Sequence, residues 1–177
     1  MRRRWGEPVY EKLGFVADFA LTRFEGIMHA PSRAMPGVEP MTLADLPAVL
    51  RLDEAVTKTP REKLLRHLYE ADPGAMRKYA PHGELEGYCV SRPGANAWHV
   101  GPIQGSPDAG RALLGDAARR FAGQRVYVDV PTDHAKAIAE VQALGLTPQR
   151  PFLRMSRGER VSETLDLFWS NFGPEKG

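Results

Sequence analysis

The sequence has one cysteine, no long apolar run and almost no excess of charge of either sign among its 177 residues. A lone thiol, Cys89, cannot form an internal disulfide, which predicts a reducing, cytoplasmic setting. No apolar stretch reaches the roughly 18 residues that a membrane-spanning helix needs, so no membrane protein is expected. The net charge of +2 is too small to indicate a nucleic-acid-binding surface.

Residue patterns typical of covalent or metal catalysis are also scarce. The spacing of His29, His67 and His82 does not indicate a metal site, so no metal is predicted. No Ser-His-Asp or Cys-His arrangement stands out as a nucleophilic site. Residues 1–5 are basic, but no apolar segment follows them as a secretory signal would require. With 42% hydrophobic and 26% charged residues, the composition predicts an ordinary globular domain.

The most informative stretch runs from Ala97 to Ala122 and predicts a strand, a short turn and an amphipathic helix. Ser106 is a typical helix-capping residue, Pro107 suits the first helical position, and Asp108 places a carboxylate in the first turn. The helix face expected to lie on a sheet consists of Leu113, Leu114, Ala117, Ala118 and Phe121. Because unpaired amides at a helix start point at one place, this turn favours an anion such as phosphate.

The remaining pattern predicts alternating helices and strands. Gly14 is typical of a helix end, so a short helix is expected before it. Strands are predicted at residues 15–24, 38–41, 76–79, 85–91, 97–104, 125–131, 146–155 and 165–172. Helices are predicted at residues 42–56, 60–70, 106–122 and 133–144. Because a hairpin precedes the helical crossovers, we expect an α/β fold with a mixed sheet and helices on both faces.

One segment of the sequence is repeated. Residues 141–155 align with residues 10–24 without a gap, at an offset of 131 residues (145 − 14 = 131). The identical positions are Leu13 and Leu144, Gly14 and Gly145, and Arg23 and Arg154. Three identities also arise by chance in a helix–glycine–strand pattern, so two interpretations stay open.

The interpretation that we favour is a tandem architecture. Residues 1–30 would be the closing helix and strand of a preceding unit, residues 31–37 a linker, and residues 38–177 the main domain. The strand at 15–24 would then need a partner, such as a second chain in a symmetric dimer.

Short motifs extend over the whole of residues 38–177. They are MTLADLPAVLRL (41–52), GY (87–88), HVGPI (99–103), GRALL (110–114), VYVDVP (126–131), HAKA (134–137), ALGL (143–146) and RM (154–155). Together they resemble the GNAT superfamily of acyl-CoA-dependent N-acyltransferases, in the group whose central strand ends in Gly-Pro. YEKLGF (10–15) is similar to the closing motif of a second such domain.

The resemblance implies a GNAT fold in which strands 97–104 and 125–131 splay apart and admit the pantetheine arm of acetyl-CoA. Its pyrophosphate would lie over the amides that begin the following helix. The implied acetyl-CoA contacts are Pro102, Ile103, Gln104, Ser106, Asp108, Ala109, Gly110, Arg111, Ala112, His134 and Ala137. Strands paired along their whole length, or a groove filled by the protein's own side chains, would contradict this prediction.

The implied reaction is transfer of an acetyl group to a primary amine, on a small molecule or a lysine side chain, by direct attack. His99 is the candidate base, and Asp129 is the candidate group that orients the ammonium. Alternatively, His99 only packs within its strand and Asp129 anchors the turn at Pro131. Trp169 is predicted to be a core residue of the last strand or, alternatively, a wall of the acceptor pocket.

The chain also departs from the family pattern. Of the phosphate-loop motif, Gly105 to Gly110 keeps only the final glycine, and Asp108 adds a negative charge there. Val141 stands where the family has the tyrosine that protonates the departing thiolate, and His134 stands where it has asparagine. These differences favour an alternative function, a catalytically degenerate GNAT-fold module for acyl-CoA binding or dimerisation.

Overall fold

The computed structural model describes residues 7–32 and 35–173. Its strands are β1 (Phe15–Ile27), β2 (Val38–Pro40), β3 (Met76–Tyr79), β4 (Gly87–Pro93), β5 (Trp98–Gly105), β6 (Arg125–Pro131), β7 (Thr147–Arg157) and β8 (Phe168–Ser170). Its α-helices are α1 (Glu7–Lys12), α2 (Leu46–Thr57), α3 (Glu62–Ala71), α4 (Pro107–Arg120) and α5 (Ala135–Ala143). Except at the C-terminal end, the predicted elements are present with small shifts in their bounds.

The strands form one mixed sheet in the order β2-β3-β4-β5-β6-β1-β7, and β8 pairs separately with β5. β5 and β6 are parallel, while the other neighbouring strands are antiparallel. The parallel pair is joined by α4, which crosses over the sheet between them. The mixed sheet predicted from the order of hairpins and crossovers is therefore confirmed.

Helices cover both faces of this sheet, as predicted. Along β4, Tyr88 and Val90 belong to the core formed with α2 and α3, whereas Cys89 belongs to the core formed with α4 and α5. This alternation follows from the two-residue period of a strand. Cys89 is a core residue, 1% exposed, and its burial raises the pKa of the thiol to about 12. None of the described helices combines the length and apolar character that crossing a bilayer requires.

β1 lies inside the sheet between β6 and β7. Its residues Leu21–Ile27 pair with β6, and Phe15–Glu25 pair with β7. Because both neighbours come from the same chain, the expectation that this strand needs a dimer partner is wrong. The origin of residues 1–30 in a preceding unit stays a prediction.

The C-terminal end departs most from the sequence pattern. Instead of a strand over 165–172, Leu165–Leu167 form a 3-10 turn and only Phe168–Ser170 are extended. The turn sends Phe168 towards Leu165 and Leu167, whereas Trp169 packs into the core with α4 and α5. Trp169 is thus a core residue, 1% exposed, but it does not share a strand face with the two leucines.

Candidate active site

The parallel strands β5 and β6 separate after a short ladder. In the described part of the chain they pair only at Trp98↔Val126 and His99↔Tyr127. Beyond this point β5 stays with β4 as far as Gly105, while β6 pairs with β1. The strands therefore enclose a wedge-shaped opening beside Ile103, which confirms the splayed strands of the predicted fold.

This opening is filled by β8 of the same chain. On one side Ile103 pairs with Ser170 and Gln104 pairs with Phe168. On the other side the backbone N–H of Asn171 donates a hydrogen bond of 2.8 Å to the carbonyl of Asp129 on β6. β8 thus bridges the two separated strands, and the expectation of an open groove is wrong.

Two glycines make room for β8. A Cβ atom on Gly110, in the second turn of α4, would lie 2.1 Å from the indole ring of Trp169. A Cβ atom on Gly101, whose φ is +156°, would lie 2.1 Å from the carbonyl oxygen of Asn171. Since both distances are far below van der Waals contact, any other residue at either position would displace β8.

Several of the residues predicted to contact acetyl-CoA contact the C-terminal segment instead. The backbones of Ile103 and Gln104 pair with β8, and Gly110 backs Trp169. The His134 ring lies 5.0 Å from the Trp169 ring between centroids, and its Nε2 is 3.3 Å from the carbonyl of Asp166. The segment therefore takes several of the contacts that the resemblance assigned to acetyl-CoA.

The other predicted contact residues lie in the core or at the surface. His134 begins α5, where its Nδ1 accepts a hydrogen bond of 3.2 Å from the backbone N–H of Ala137. The buried residues are Pro102, Ala109, Ala112 and Ala137. They shape the strand and the two helices from within, so their side chains do not line a surface groove.

The start of α4 is capped as predicted, but its charges do not favour phosphate. Ser106 Oγ accepts a hydrogen bond of 3.2 Å from the backbone N–H of Ala109 and donates one of 3.1 Å to Glu86. The exposed Arg111 binds Glu140 at 2.9 Å and lies 3.8 Å from Asp108. Asp108 and Glu140 thus lie beside this guanidinium and Glu86 lies at the Ser106 cap, and their negative charge opposes the attraction of the helix amides for an anion.

The two candidate catalytic residues lie close together and are buried. His99 Nε2 is 3.8 Å from Asp129 Oδ2 and 3.3 Å from the carbonyl oxygen of Asn171. Burial lowers the pKa of His99, and the nearby Asp129 only partly opposes this effect. The imidazole is therefore held in the neutral form that a general base requires.

Asp129 has a partner that sequence reasoning missed. Arg23 on β1 donates two hydrogen bonds of 2.8 Å, from Nε and Nη2, to the two carboxylate oxygens. The guanidinium also lies over the ring of Tyr127, 4.6 Å from its centroid, so Tyr127 and Asp129 lie on the same face of β6. Asp129 is therefore the ion-pair partner of Arg23, and its role towards a substrate ammonium stays a prediction.

A second buried ionic group, also missed, lies under α2. Asp53 accepts hydrogen bonds from the guanidinium of Arg61 and from the hydroxyl of Tyr88. The Arg61 guanidinium stands 4.9 Å from the ring centroid of Phe172, which directly follows β8 and Asn171. No local motif marks this group, because its members come from α2, from the residue that precedes α3 and from β4. It holds the end of the C-terminal segment in place.

Three polar side chains around β8 lack partners. Among residues 7–32 and 35–173, nothing hydrogen-bonds the side-chain amide of Gln104, the indole N–H of Trp169 or the side-chain oxygen of Asn171. Each residue is at least 95% buried. A buried polar group without a partner costs about 1–3 kcal/mol. β8 therefore fills the opening with apolar side chains but leaves these polar groups without hydrogen bonds.

A pantetheine arm does not fit beside β5 while β8 is in place. The backbone of Ile103 and Gln104 is already paired, and the indole of Trp169 covers Gly110. Binding of an acyl-CoA at this opening thus requires that residues 168–171 first move away.

Two sequence comparisons match this chain to acyltransferases. A family model described as "Acetyltransferase (GNAT) domain" matches residues 49–168, more than half of the chain. The curated holothin acyltransferase of Pseudoalteromonas sp. (strain SANK 73390) is 26% identical over 156 residues, which cover 86% of this chain and 53% of that protein.

Solved structures show the same fold. A Pyrococcus horikoshii structure superposes with a TM-score of 0.77 at 19% identity, over 97% of this chain and 57% of that chain. The GCN5-related N-acetyltransferase of Sphaerobacter thermophilus gives a TM-score of 0.59 at 16% identity, over 83% of this chain and 54% of that chain. This chain therefore spans only slightly more than half the length of these relatives.

Proposed function

The chain belongs to the GNAT acetyltransferase family, and on that premise we propose that it is an acyl-CoA-dependent N-acyltransferase. The observation that carries the proposal is the separation of β5 from β6 after His99 and Tyr127, which creates the opening beside Ile103. Acetyl-CoA is the proposed co-substrate, and a primary amine is the proposed acceptor.

The proposed site needs β8 to withdraw before the co-substrate enters. Withdrawal would free the backbone groups of Ile103 and Gln104 to pair with an extended arm, as they now pair with β8. It would also uncover Gly110 and the side-chain amide of Gln104, which has no hydrogen-bond partner in the described part of the chain while β8 is in place. The unsatisfied polar groups around β8 support an exchange of this kind, because an incoming amide-bearing chain can satisfy them.

The proposed reaction is direct attack of the amine nitrogen on the thioester carbon, with cleavage of the carbon–sulfur bond and release of the thiolate. His99 is the proposed acceptor of the proton that the amine loses, since its pKa is lowered by burial. Asp129, held by Arg23, is the proposed positioning residue behind it. Val141 is buried in the core, so the proton for the thiolate would come from another source than the family's tyrosine.

A second function is favoured by the depth at which β8 is packed. Phe168, Trp169 and Phe172 are each at most 1% exposed and belong to three different parts of the core. If β8 never leaves, the chain is a GNAT-fold module without acyl transfer, as the degenerate phosphate loop and Val141 also suggest.

Titration calorimetry with acetyl-CoA separates the two functions. For the transferase we expect binding with a dissociation constant in the micromolar range. Arg111→Glu, at the start of α4, should weaken it about tenfold, or 1.4 kcal/mol. The matched control, Arg119→Glu in the last turn of the same helix, should leave it unchanged. No heat at millimolar acetyl-CoA would support the closed module.

A further inference from the structure

The repeated segments of the sequence are related by a local two-fold rotation. Leu21 pairs with Phe152, and these residues are themselves equivalent at the repeat offset (152 − 21 = 131). Replacing each residue by its equivalent at this offset converts every pair on one side of Leu21 and Phe152 into a pair on the other side. The pairs related in this way are Val16↔Ser156 and Glu25↔Thr147, Ala17↔Met155 and Phe24↔Pro148, and Ala20↔Leu153 and Thr22↔Pro151. Gly14 and Gly145 end the two helices with φ values of +82° and +91°. The unit α1–β1 is thus a structural counterpart of α5–β7.

Equivalent helix positions of the two units differ in burial. Val141 and Leu144 of the α5–β7 unit are 0% and 6% exposed, because they pack into the core with α4 and β6. Their equivalents in the other unit, Tyr10 and Leu13, are 51% and 55% exposed. Val9 and Val16, each 61% exposed, extend this apolar face. The face has the sequence of a core-facing helix, but the part of the chain that the structure describes forms no core against it.

The same rotation places a free strand edge beside this face. β6 pairs with residues 21–27 of β1, and the rotation carries that ladder to residues 152–158, on the outer side of β7. β7 is the last strand of the sheet, and its two prolines, Pro148 and Pro151, fall just outside this range. Residues 152–157 therefore all have a backbone N–H group, as a strand needs for pairing. The two prolines lie in the part of β7 for which the rotation predicts no partner, and they hinder pairing there.

We infer that the apolar face of α1 and the edge of β7 at 152–157 form one docking surface for a second GNAT-like body. That body would be placed by the two-fold rotation, with its strand equivalent to β6 paired to β7 and its core against Tyr10 and Leu13. α1–β1 would close this body as α5–β7 closes the first one.

The occupant is a body that lacks its own closing helix and strand. A second copy of this chain does not fit, because its β6 is already paired with its own β1. The relatives described above favour a unit of this kind, since nearly half of each lies outside the part that matches this chain. That share is close to the length of one further body.

A reporter thiol tests this inference. Leu13→Cys is placed on the docking surface, and His67→Cys on the exposed side of α3 is the control; the native Cys89 is buried and does not interfere. In the chain alone we expect a monomer by light scattering, with both thiols labelled by a maleimide at similar rates. A dimer that protects only Leu13→Cys would overturn the inference, because the occupant would then be a second copy.

The occupant itself is tested by a fusion in which residues 38–137 precede Glu7, so that Glu7 follows Ala137 as Ile138 does in the chain. We expect labelling of Leu13→Cys to slow at least tenfold while His67→Cys is unaffected. Unchanged labelling in a fusion that unfolds cooperatively would overturn the inference. If the fusion does not fold, the Pyrococcus horikoshii protein decides. In that structure, the residue that superposes on Leu13 should be buried by the half of the chain that does not match this protein. Exposure of that residue would contradict the inference.

Discussion

The two halves of β5 have different neighbouring strands, and the polar side chains beside them differ in whether they have hydrogen-bond partners. At Trp98 and His99 the strand is bonded to β6, and the adjacent Asp129 is fully paired with Arg23. At Ile103 and Gln104 the neighbour is β8, and the side chain of Gln104 has no hydrogen-bond partner among the described residues. The first half is thus held in the sheet by a paired strand and a paired charge, whereas the second is the half at which we propose that acyl-CoA replaces β8.

The largest effect is expected in the first half, from Asp129→Ala. This change removes the carboxylate that pairs with the buried guanidinium of Arg23, and removal of one member of a buried pair costs about 3–5 kcal/mol. Urea unfolding measures the loss. The double variant Asp129→Leu with Arg23→Met should recover most of it, because no buried charge remains. A single variant as stable as the double one would contradict the permanent role of this pair.

A smaller effect is expected in the second half, from Gly110→Ala. The added Cβ would meet the indole of Trp169 at 2.1 Å, and such overpacking costs about 1–3 kcal/mol. Gly115→Ala on the same helix is the control, since its nearest neighbour is 3.9 Å away and alanine favours the helix by up to about 1 kcal/mol. Thermal unfolding of both variants checks the sign. Equal effects would show that Trp169 does not rest on Gly110 in solution.

The start of α4 should contribute about 1 kcal/mol through its cap. Ser106→Ala removes the acceptor for the backbone N–H of Ala109, whereas Ser106→Asn retains one. Denaturant unfolding of the two variants should therefore differ by about that amount. Equal stabilities would mean that the hydroxyl does not cap the helix.

The smallest effect is a pH dependence of stability that belongs to His99. The pKa of its imidazole is lowered from 6.5 by burial, while Asp129 raises it and Arg92 and Arg23 lower it further. The unfolded chain therefore binds more protons around pH 6.5, so this residue's contribution is complete above that pH and is lost as the pH falls. His99→Gln should flatten the stability difference between pH 7.5 and pH 5.5. An unchanged slope would contradict the burial of a neutral His99.

The fold was predictable because its signals are local. Ser106 and Pro107 mark the start of α4, and the alternation of Tyr88, Cys89 and Val90 marks β4 as a strand covered on both faces. The position of β8 was not predictable in this way. Its three residues are too few to show a period, and its seat depends on Gly101 and Gly110, which lie about 60 to 70 positions earlier in the chain.

The sequence predicted which strands form the candidate site, but not which side chain pairs with Asp129. His99 and Asp129 could be proposed as candidates because each lies on a strand that leads to the opening. Arg23 was not, because it is 106 residues from Asp129 and reaches it only when β1 enters the sheet beside β6. The repeat did give one indication of a role for Arg23, because Arg23 aligns with Arg154. Arg154 also forms an ion pair, with Glu163 at 2.9 Å.

Hydrogen exchange of the C-terminal segment tests the exchange of β8 for acyl-CoA most directly. Without ligand, the amide of Asn171 should be protected by its bond to the carbonyl of Asp129, and peptides covering 165–173 should exchange slowly. With saturating acetyl-CoA we expect these peptides to exchange at least about tenfold faster, while those of β4 and α4 become no faster. Acetyl-CoA that binds without any change in residues 165–173 would contradict the account.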